Sequence, residues 1–317
     1  MERLGTQAMG TRFELVLVDE IPSDYLRSAG EEALAEIEDA HRRLSAFMRD
    51  SVVSHLNRAA QLGPDAGPIP LDGEMWRLLL RCDELVASTA GAFDPGLGLR
   101  MEQLGLRGPD ARVEPYRGGW SGAVEVDPER PRVRFSHPSL ALDLGGVAKG
   151  YALDLAADVL IDAGIERAIL HGGTSTVLAL GPPPGSNAWQ VAIGPGARAP
   201  VAHLCHAALS VSDASGRAAV APGALATHVL DPSTGGSACG AERAVVAVPL
   251  QSGDALMADA LSTATLVRGP DLPTPAGVEL WSKSKVGSVA HRHPSSSRPI
   301  IRKRPTAAPS SAHLESN

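Results

Sequence analysis

Apolar residues recur along this chain with the spacing of helices in four stretches. The first begins behind Ser23, an expected N-cap, and has apolar positions at Leu26, Ala33, Leu34, Ile37 and Leu44. The second starts after Asp72 and ends near Gly91, the expected C′ residue. The third covers residues 147–163 and stops at Gly164. The last covers residues 254–266, with Ser252 as its expected cap.

Short runs rich in apolar and β-branched residues predict strands between these helices. They are residues 13–18, 123–126, 133–135, 140–144, 168–170 and 244–248. Pro, Gly and Arg recur between residues 105 and 138, so that stretch is expected to hold loops and antiparallel strands. Beyond residue 281 the composition shifts to Ser, Pro, Arg, Lys and His, which predicts a disordered basic tail at 282–317 after a folded domain at 1–281.

Composition narrows the class of protein. The chain has 317 residues, of which 44% are hydrophobic and 21% charged, so a folded globular protein is expected. The net charge of −7 argues against a general nucleic-acid binder. No window has the roughly 18 consecutive apolar residues of a transmembrane segment. Because no signal peptide precedes the first strand, the expected location is cytoplasmic, or exported or membrane-anchored if the true N-terminus lies upstream.

Two adjacent glycines, Gly145 and Gly146, separate a predicted strand from a helix. This order places a ligand at a helix N-terminus. Neither the dinucleotide-binding fingerprint nor the phosphate-binding loop motif fits, because Val147 and Tyr151 stand where Gly and Lys are needed. The arrangement still allows close backbone approach to a ligand, and Lys149 in the first turn has the charge to meet a phosphate.

Asp259 and Thr263 are four residues apart on a predicted helix, so both side chains lie on one face. A carboxylate and a hydroxyl are oxygen donors of the kind that Mg²⁺ prefers. An Asp–Thr pair at this spacing is also typical of a solvated surface, or of a Thr that bonds back to its own helix. Both interpretations remain open from the residues alone.

His228 precedes a turn at Asp231 and Pro232, where the proline and the following Gly235 have structural reasons to occur. A histidine titrates near neutral pH and is suited to general-base catalysis, although an isolated His is often structural. His203, Cys205 and His206 resemble metal ligands, but a single short cluster lacks the second half of a zinc site.

Seven blocks of sequence, in order and in register, resemble the FAD:protein FMN transferases, the ApbE-like or thiamine biosynthesis lipoprotein family. The resemblance is strongest at residues 142–151, and coverage extends from Met9 to about Trp281. The other blocks are residues 9–11, 44–51 with Asn57, 89–95, 172–173, 228–235 and 258–263.

The resemblance implies an α+β, ApbE-like and T-fold-like architecture, with mainly antiparallel sheets flanked by helices and FAD in a central cleft. It also implies Mg²⁺-dependent transfer of FMN from FAD to a Thr or Ser hydroxyl of an acceptor flavoprotein, with release of AMP. By matching position, His228 becomes the general base. The FAD contacts become Met9, Phe47, Ala92, Phe93, Asp94, Asp143, Lys149 and Val229. The Mg²⁺ ligands become the Gly146 carbonyl, Asp259 and Thr263, with Ser262 nearby.

Two other functions use the same residues. Water in place of the acceptor hydroxyl gives an FAD pyrophosphatase that releases FMN and AMP. A flavin-binding protein without turnover belongs to a different class. The resemblance also implies a final strand pair after Val278, which the polar sequence from Ser282 onward does not resemble.

Overall fold

The structure, a computed structural model, describes residues 1–106, 116–194, 199–214, 218–221, 224–251, 253–284, 287–291 and 300–302. Its strands are β1 (Glu2–Ala8), β2 (Thr11–Leu17), β3 (Ile69–Pro70), β4 (Val124–Val126), β5 (Arg132–Phe135), β6 (Ala168–Gly172), β7 (Thr176–Leu180), β8 (Trp189–Ala192), β9 (Val201–Leu204), β10 (Ala207–Asp213), β11 (Ala218–Ala221), β12 (Ala224–Thr227), β13 (Arg243–Pro249), β14 (Glu279–Ser284), β15 (Gly287–His291) and β16 (Ile301–Arg302). Its helices are α1 (Ser23–Leu44), α2 (Val52–Ala60), α3 (Gly73–Ser88), α4 (Gly98–Gln103), α5 (Gly119–Ala123), α6 (Ala148–Asp162) and α7 (Ala255–Arg268).

An antiparallel sheet forms the centre of the molecule, with the strand order β1-β2-β6-β7-β10-β13-β14-β15. Every neighbouring pair in it is antiparallel. Smaller sheets have the orders β16-β9-β8, β3-β5-β4 and β11-β12. The predicted α+β class with mainly antiparallel sheets is therefore confirmed. None of the helices in the described ranges is long and apolar enough to cross a membrane.

The inner strands of the central sheet are buried on both faces, which explains why β6, β7 and β13 are largely apolar. Successive residues point to opposite faces of a strand. Leu170 joins the core formed with α1, α6 and α7, whereas its neighbour Ile169 joins the core under β8 and β9. The same alternation repeats in β13, where Val246 faces the helices and Val245 faces the small sheet.

The sequence-predicted helices form close to their expected ends, but three of the expected end residues differ. Pro22 is the N-cap of α1, and Ser23 is the first helical residue. Asp254 caps α7 by accepting from the Met257 amide, while Ser252 lies outside the described residues. At the end of α3 the left-handed C′ position is Ala90, and Gly91 follows it with its amide bonded to the Val86 carbonyl.

The strand predicted at residues 140–144 is wrong: this segment is an extended loop with one isolated bridge, between Ala141 and Leu97. Its backbone bonds to side chains and loops instead of to a sheet. The Asn57 side chain accepts from the Leu142 amide at 2.7 Å and donates to the Leu142 carbonyl at 3.1 Å. The Asp143 amide donates to the Pro95 carbonyl at 2.7 Å. The apolar side chains are buried, which produced the strand-like pattern.

The predicted start of a disordered tail at residue 282 also differs from the structure. β14 continues to Ser284, and Ser282 pairs with Ala244 on one side and Val289 on the other. β16 adds a further strand beside β9. β15 and β16 are the edge strands of their sheets, where apolar runs are not required, so their polar sequence gave no strand signal. The rest of the predicted tail, residues 285–286, 292–299 and 303–317, lies outside the described residues.

Candidate active site

A cleft of about 1310 Å³ opens beside the central sheet. It is lined by the loop before α6, by α7, by the loops after α3 and β12, and by strand residues of both the central sheet and β8. Most of the sequence-predicted site residues line it: Phe47, Ala92, Phe93, Asp94, Asp143, Gly146, Lys149, His228, Val229, Asp259 and Thr263. The structure thus brings together residues that are far apart in sequence.

Asp259 is anchored at the bottom of this cleft by three hydrogen bonds to its carboxylate. The side chain is only 4% exposed. Its Oδ1 accepts from the Ser210 hydroxyl at 2.7 Å and the Thr176 hydroxyl at 2.8 Å, and its Oδ2 accepts from the Gly150 amide at 2.7 Å. Two of a carboxylate's four lone-pair positions are therefore taken on Oδ1 and one on Oδ2. One position on Oδ2 is left for another ligand.

The Gly150 contact with Asp259 requires glycine at that position. A Cβ on Gly150 would stand 2.2 Å from the Ala255 carbonyl oxygen, because the first turns of α6 and α7 cross there. Asp154, one turn further along α6, accepts from the Ala255 and Leu256 amides at 2.9 Å each and so completes the N-terminus of α7. Burial and the nearby Asp254 carboxylate raise the pKa of Asp154 well above its ordinary value.

Oxygen atoms predominate around Asp259, and this donor set fits a hard cation such as Mg²⁺. Thr263 Oγ1 lies 3.6 Å from the position that a Cβ on Gly146 would occupy, so helix α7 and the glycine turn meet closely. Within the described ranges, no three His, Cys, Asp or Glu side chains cluster as a metal site. A cation held here would therefore depend on one carboxylate together with hydroxyl and carbonyl oxygens.

Ser262, on the same helix as Asp259 and Thr263, does not line the cleft. It is fully buried, and its hydroxyl contacts those of Ser210 at 3.0 Å and Ser212 at 2.7 Å. It also donates to the Asp259 backbone carbonyl at 3.0 Å. Its position supports the hydroxyl network around Asp259 and does not present an oxygen to the cleft.

Met9 also lies outside the cleft lining. It forms the β1–β2 turn with Gly10, and both residues have positive φ, 50° and 72°. The Met9 amide donates to His41 Nδ1 at 3.3 Å. The turn contacts the cleft wall indirectly, because the Gly173 amide bonds to the Arg12 carbonyl at 3.0 Å and Gly173 lines the cleft.

Aromatic side chains mark the entrance and one wall. Phe47 is 69% exposed at the cleft, whereas Phe93 is only 3% exposed and lies beside Gly146. Exposed aromatic surface of this kind is suited to stacking against a planar ring. Nearby Asp94 accepts from the Gly96 and Trp120 amides, and burial raises its pKa. Its carboxylate therefore fixes the loop that it belongs to.

His228 stands at the start of a tightly bonded turn. Asp231 accepts from the Ser233 amide and hydroxyl, and its carbonyl accepts from Gly235 at 2.7 Å. Arg100 of α4 donates to the Gly235 carbonyl at 2.8 Å and so ties the turn to α4, whose Met101 lines the cleft. The half-buried imidazole, directly after β12, lies in the cleft lining next to this bonded turn.

Sequence reasoning missed the hydroxyls that hold Asp259, namely Thr176 and Ser210, together with His171 on the cleft wall. A signal existed for Ser210 and Ser212, because two polar residues at i and i+2 in an apolar strand point to one face. His171 is half-buried opposite Glu14 of β2, and burial lowers its pKa.

This chain is similar in sequence to a known protein family and to several of its members. The model of the ApbE family matches residues 9–284. An FAD:protein FMN transferase of Rhodobacter capsulatus is 31% identical over 263 residues, which are 79% of this chain and 48% of that protein. One from Chlamydia trachomatis is 27% identical over 223 residues, which are 68% of this chain and 67% of that protein. The chain thus spans about half the length of the Rhodobacter relative.

Solved structures share the fold along nearly the whole chain. The ApbE protein of Thermotoga maritima superposes with a TM-score of 0.77 and 27% identity, over 92% of this chain and 97% of that one. The flavin transferase ApbE of Vibrio cholerae superposes with a TM-score of 0.72 and 21% identity, over 92% of this chain and 96% of that one. The predicted ApbE-like architecture is confirmed.

Proposed function

The chain belongs to the ApbE family, and from this membership we propose that it is an FAD:protein FMN transferase acting on a Ser or Thr hydroxyl of an acceptor flavoprotein. The observation that carries the proposal is the shared cleft. Residues from six of the seven blocks of sequence that together resemble the family, all except residues 9–11, line one cavity, with His228 and Asp259 among them. A cytoplasmic location remains a prediction.

In this proposal one phosphorus–oxygen bond forms and one breaks. The acceptor oxygen attacks the phosphorus on the FMN side of the pyrophosphate, and the AMP phosphate leaves with the bridging oxygen. His228 removes the proton of the attacking hydroxyl as the bond forms. Phe47 and Phe93 provide surface for the flavin ring, and Lys149 places positive charge beside the glycine turn.

Mg²⁺ would be held by Asp259, Thr263 and the backbone carbonyl of Gly146. When bound, it neutralises the charge that develops on the pyrophosphate oxygens. Ser210 and Thr176 keep the Asp259 carboxylate in a single orientation through the bonds described above. Ser262 has the role of supporting this network from behind.

The test incubates the purified protein with FAD, with and without Mg²⁺ and an acceptor domain that the Vibrio cholerae flavin transferase modifies. AMP release and the mass of the acceptor are both measured. Metal-dependent AMP together with an acceptor that gains the mass of FMN is expected. AMP and free FMN without an adduct would instead indicate a pyrophosphatase, and retained FAD without AMP a binding protein.

A further inference from the structure

Strand β8 is an edge strand that borders the cleft. In the order β16-β9-β8, only β9 pairs with it among the described residues. All four of its residues, Trp189 to Ala192, line the cleft, as does Gly194 beyond it. The backbone of β8 therefore faces the same cavity as His228 and Asp259.

The hydrogen-bond register shows which amides of β8 point away from β9. The Ile193 amide donates to the Pro200 carbonyl at 2.8 Å, and this pair continues the β8–β9 register. In an antiparallel pair, bonded and non-bonded positions alternate. Gln190 and Ala192 are therefore non-bonded positions, with amide and carbonyl directed outward. On β9, His203 lies opposite Gln190. Its amide points away from β8 and donates to the Ile300 carbonyl, next to β16, as this register requires.

The side chains of β8 do not protect this edge. Edge strands usually carry Lys, Pro or a bulge that prevents further pairing. β8 has the sequence Trp-Gln-Val-Ala, without charge or proline. Trp189 and Val191 pack against the core beneath, and Trp189 Nε1 donates to the Gly181 carbonyl at 2.9 Å. The strand is thus fixed in place while Gln190 and Ala192 remain exposed.

The size of the cleft indicates what occupies this edge. Small-molecule sites usually measure about 300–1,000 Å³, and this cleft measures about 1310 Å³. We propose that β8 binds the acceptor polypeptide as an added antiparallel or parallel strand, which presents its Ser or Thr hydroxyl to the cleft. Backbone pairing of this kind is an established mode of peptide recognition. The inference rests on the proposed transferase function and names the docking surface for its second substrate.

Hydrogen exchange tests docking separately from transfer. The probe is the same acceptor domain with its modified Ser or Thr replaced by alanine, which removes the hydroxyl and leaves the backbone. Exchange at the Gln190 and Ala192 amides is expected to slow at least about tenfold when this domain is added. FAD alone should leave both amides unchanged. Unchanged exchange with the acceptor, or equal slowing by FAD alone, would overturn the proposal.

A backbone substitution gives the second measurement. Ala192→Pro removes one outward amide at a position where edge strands tolerate proline. The acceptor KM is expected to rise about tenfold, because one strand-pairing bond is lost and its partner carbonyl is left unsatisfied. The Kd for FAD should not change. Ala192→Ser keeps the amide and should retain the wild-type KM, and thermal melts verify that all three proteins fold.

The two proposals fail in different ways. If the acceptor domain slows amide exchange in β8 of the wild-type protein but no FMN is transferred, the docking surface stands and the transferase function is wrong. If FMN is transferred while exchange and the Ala192→Pro KM stay at their reference values, the function stands and the docking surface lies elsewhere.

Discussion

Asp259 is buried and triply hydrogen-bonded, so its replacement is expected to affect stability as well as catalysis. An exposed cleft carboxylate could be removed with little structural cost, and the sequence suggested that situation. In Asp259→Asn, the side chain keeps one acceptor oxygen in place of two, so the Gly150 amide and the Ser210 and Thr176 hydroxyls can no longer all donate to it as they do to the carboxylate. We expect Mg²⁺-dependent AMP release to be lost and the free energy of unfolding to fall by about 1–3 kcal/mol. Urea denaturation and the AMP assay measure the two effects; full activity would contradict the metal assignment.

Ser210 has a positioning role that a substitution can isolate. In Ser210→Ala, the Asp259 carboxylate loses one of two hydroxyl donors to Oδ1. Groups that orient a metal ligand typically change metal affinity about 10- to 100-fold, so the Mg²⁺ concentration for half-maximal AMP release should rise about tenfold. Thr265→Val is the matched control, because this buried hydroxyl on the same helix bonds to the Leu261 carbonyl instead. An equal shift in both variants would assign the effect to the helix as a whole.

His228 is expected to act in the proton transfer and not in FAD binding. His228→Asn should lower the rate of FMN transfer by about 10²-fold while the Kd for FAD stays the same. His55→Asn makes the same change at an exposed position on α2 and should behave as wild type. A wild-type rate in His228→Asn would give this residue a structural role.

At the scale of elements, periodicity predicted what packing dictates and missed what individual side chains dictate. The spacing of α1, α3, α6 and α7 follows from their buried faces, and all four were predicted. The segment 140–144 has the same apolar composition as a strand, but a single side chain, Asn57, takes the place of a neighbouring strand. A pairing between residues 85 positions apart leaves no periodic trace in the sequence.

The candidate site divides in the same way. The glycine turn, Asp259 and Thr263 were identified by residue type and spacing, whereas Thr176 and Ser210 were missed because their role depends on strand neighbours. β8 is the clearest case. Its four residues carry no chemical signal, and only the sheet order shows that their backbone borders the cleft.

The α6–α7 crossing makes stability depend on pH. Burial and the Asp254 carboxylate raise the pKa of Asp154 in the folded protein, although two backbone amides oppose this shift. The folded state then binds this proton more tightly than the unfolded state does, so the stabilisation is complete below the unfolded pKa, near 4, and is lost as pH rises through the folded pKa. The side chain of Asp154→Asn is neutral at every pH. Relative to this variant, the free energy of unfolding of the wild type should fall by up to about 1.4 kcal/mol for each unit that the pH rises.

Urea denaturation at several values between about pH 4.5 and pH 7.5 measures this difference. Asp24→Asn is the control, because Asp24 is exposed in the first turn of α1. Its free energy of unfolding should follow the wild-type pH dependence. If the wild type and Asp154→Asn differ by a constant amount at every pH, the Asp154 carboxyl does not titrate differently on folding.

At the scale of the whole molecule, the C-terminal strands connect the stability of the central sheet to the cleft. β14 covers the edge of β13 and contributes Leu280 to the main core. β16 covers one edge of β9, and β9 in turn supports β8. Ile300 is the link between these layers, since its amide donates to Glu279 at 2.8 Å and its carbonyl accepts from His203 at 2.7 Å.

Truncation tests whether these strands belong to the folded unit, against the boundary expected at residue 281. A chain ending at residue 291 loses β16 and both Ile300 bonds, so its free energy of unfolding should fall by about 1–3 kcal/mol relative to a chain ending at 302. A chain ending at 278 also loses the hydrogen bonds between β13 and β14. It loses the buried Leu280 side chain as well, whose burial alone contributes about 1.5–3 kcal/mol to the free energy of unfolding. Urea midpoints should therefore decrease in the order 302, 291, 278.

The chain ending at 291 should also bind the alanine-substituted acceptor more weakly, because β9 would hold β8 without support from its other edge. Equal midpoints and equal acceptor binding for the chains ending at 291 and 302 would separate β16 from both the fold and the docking surface.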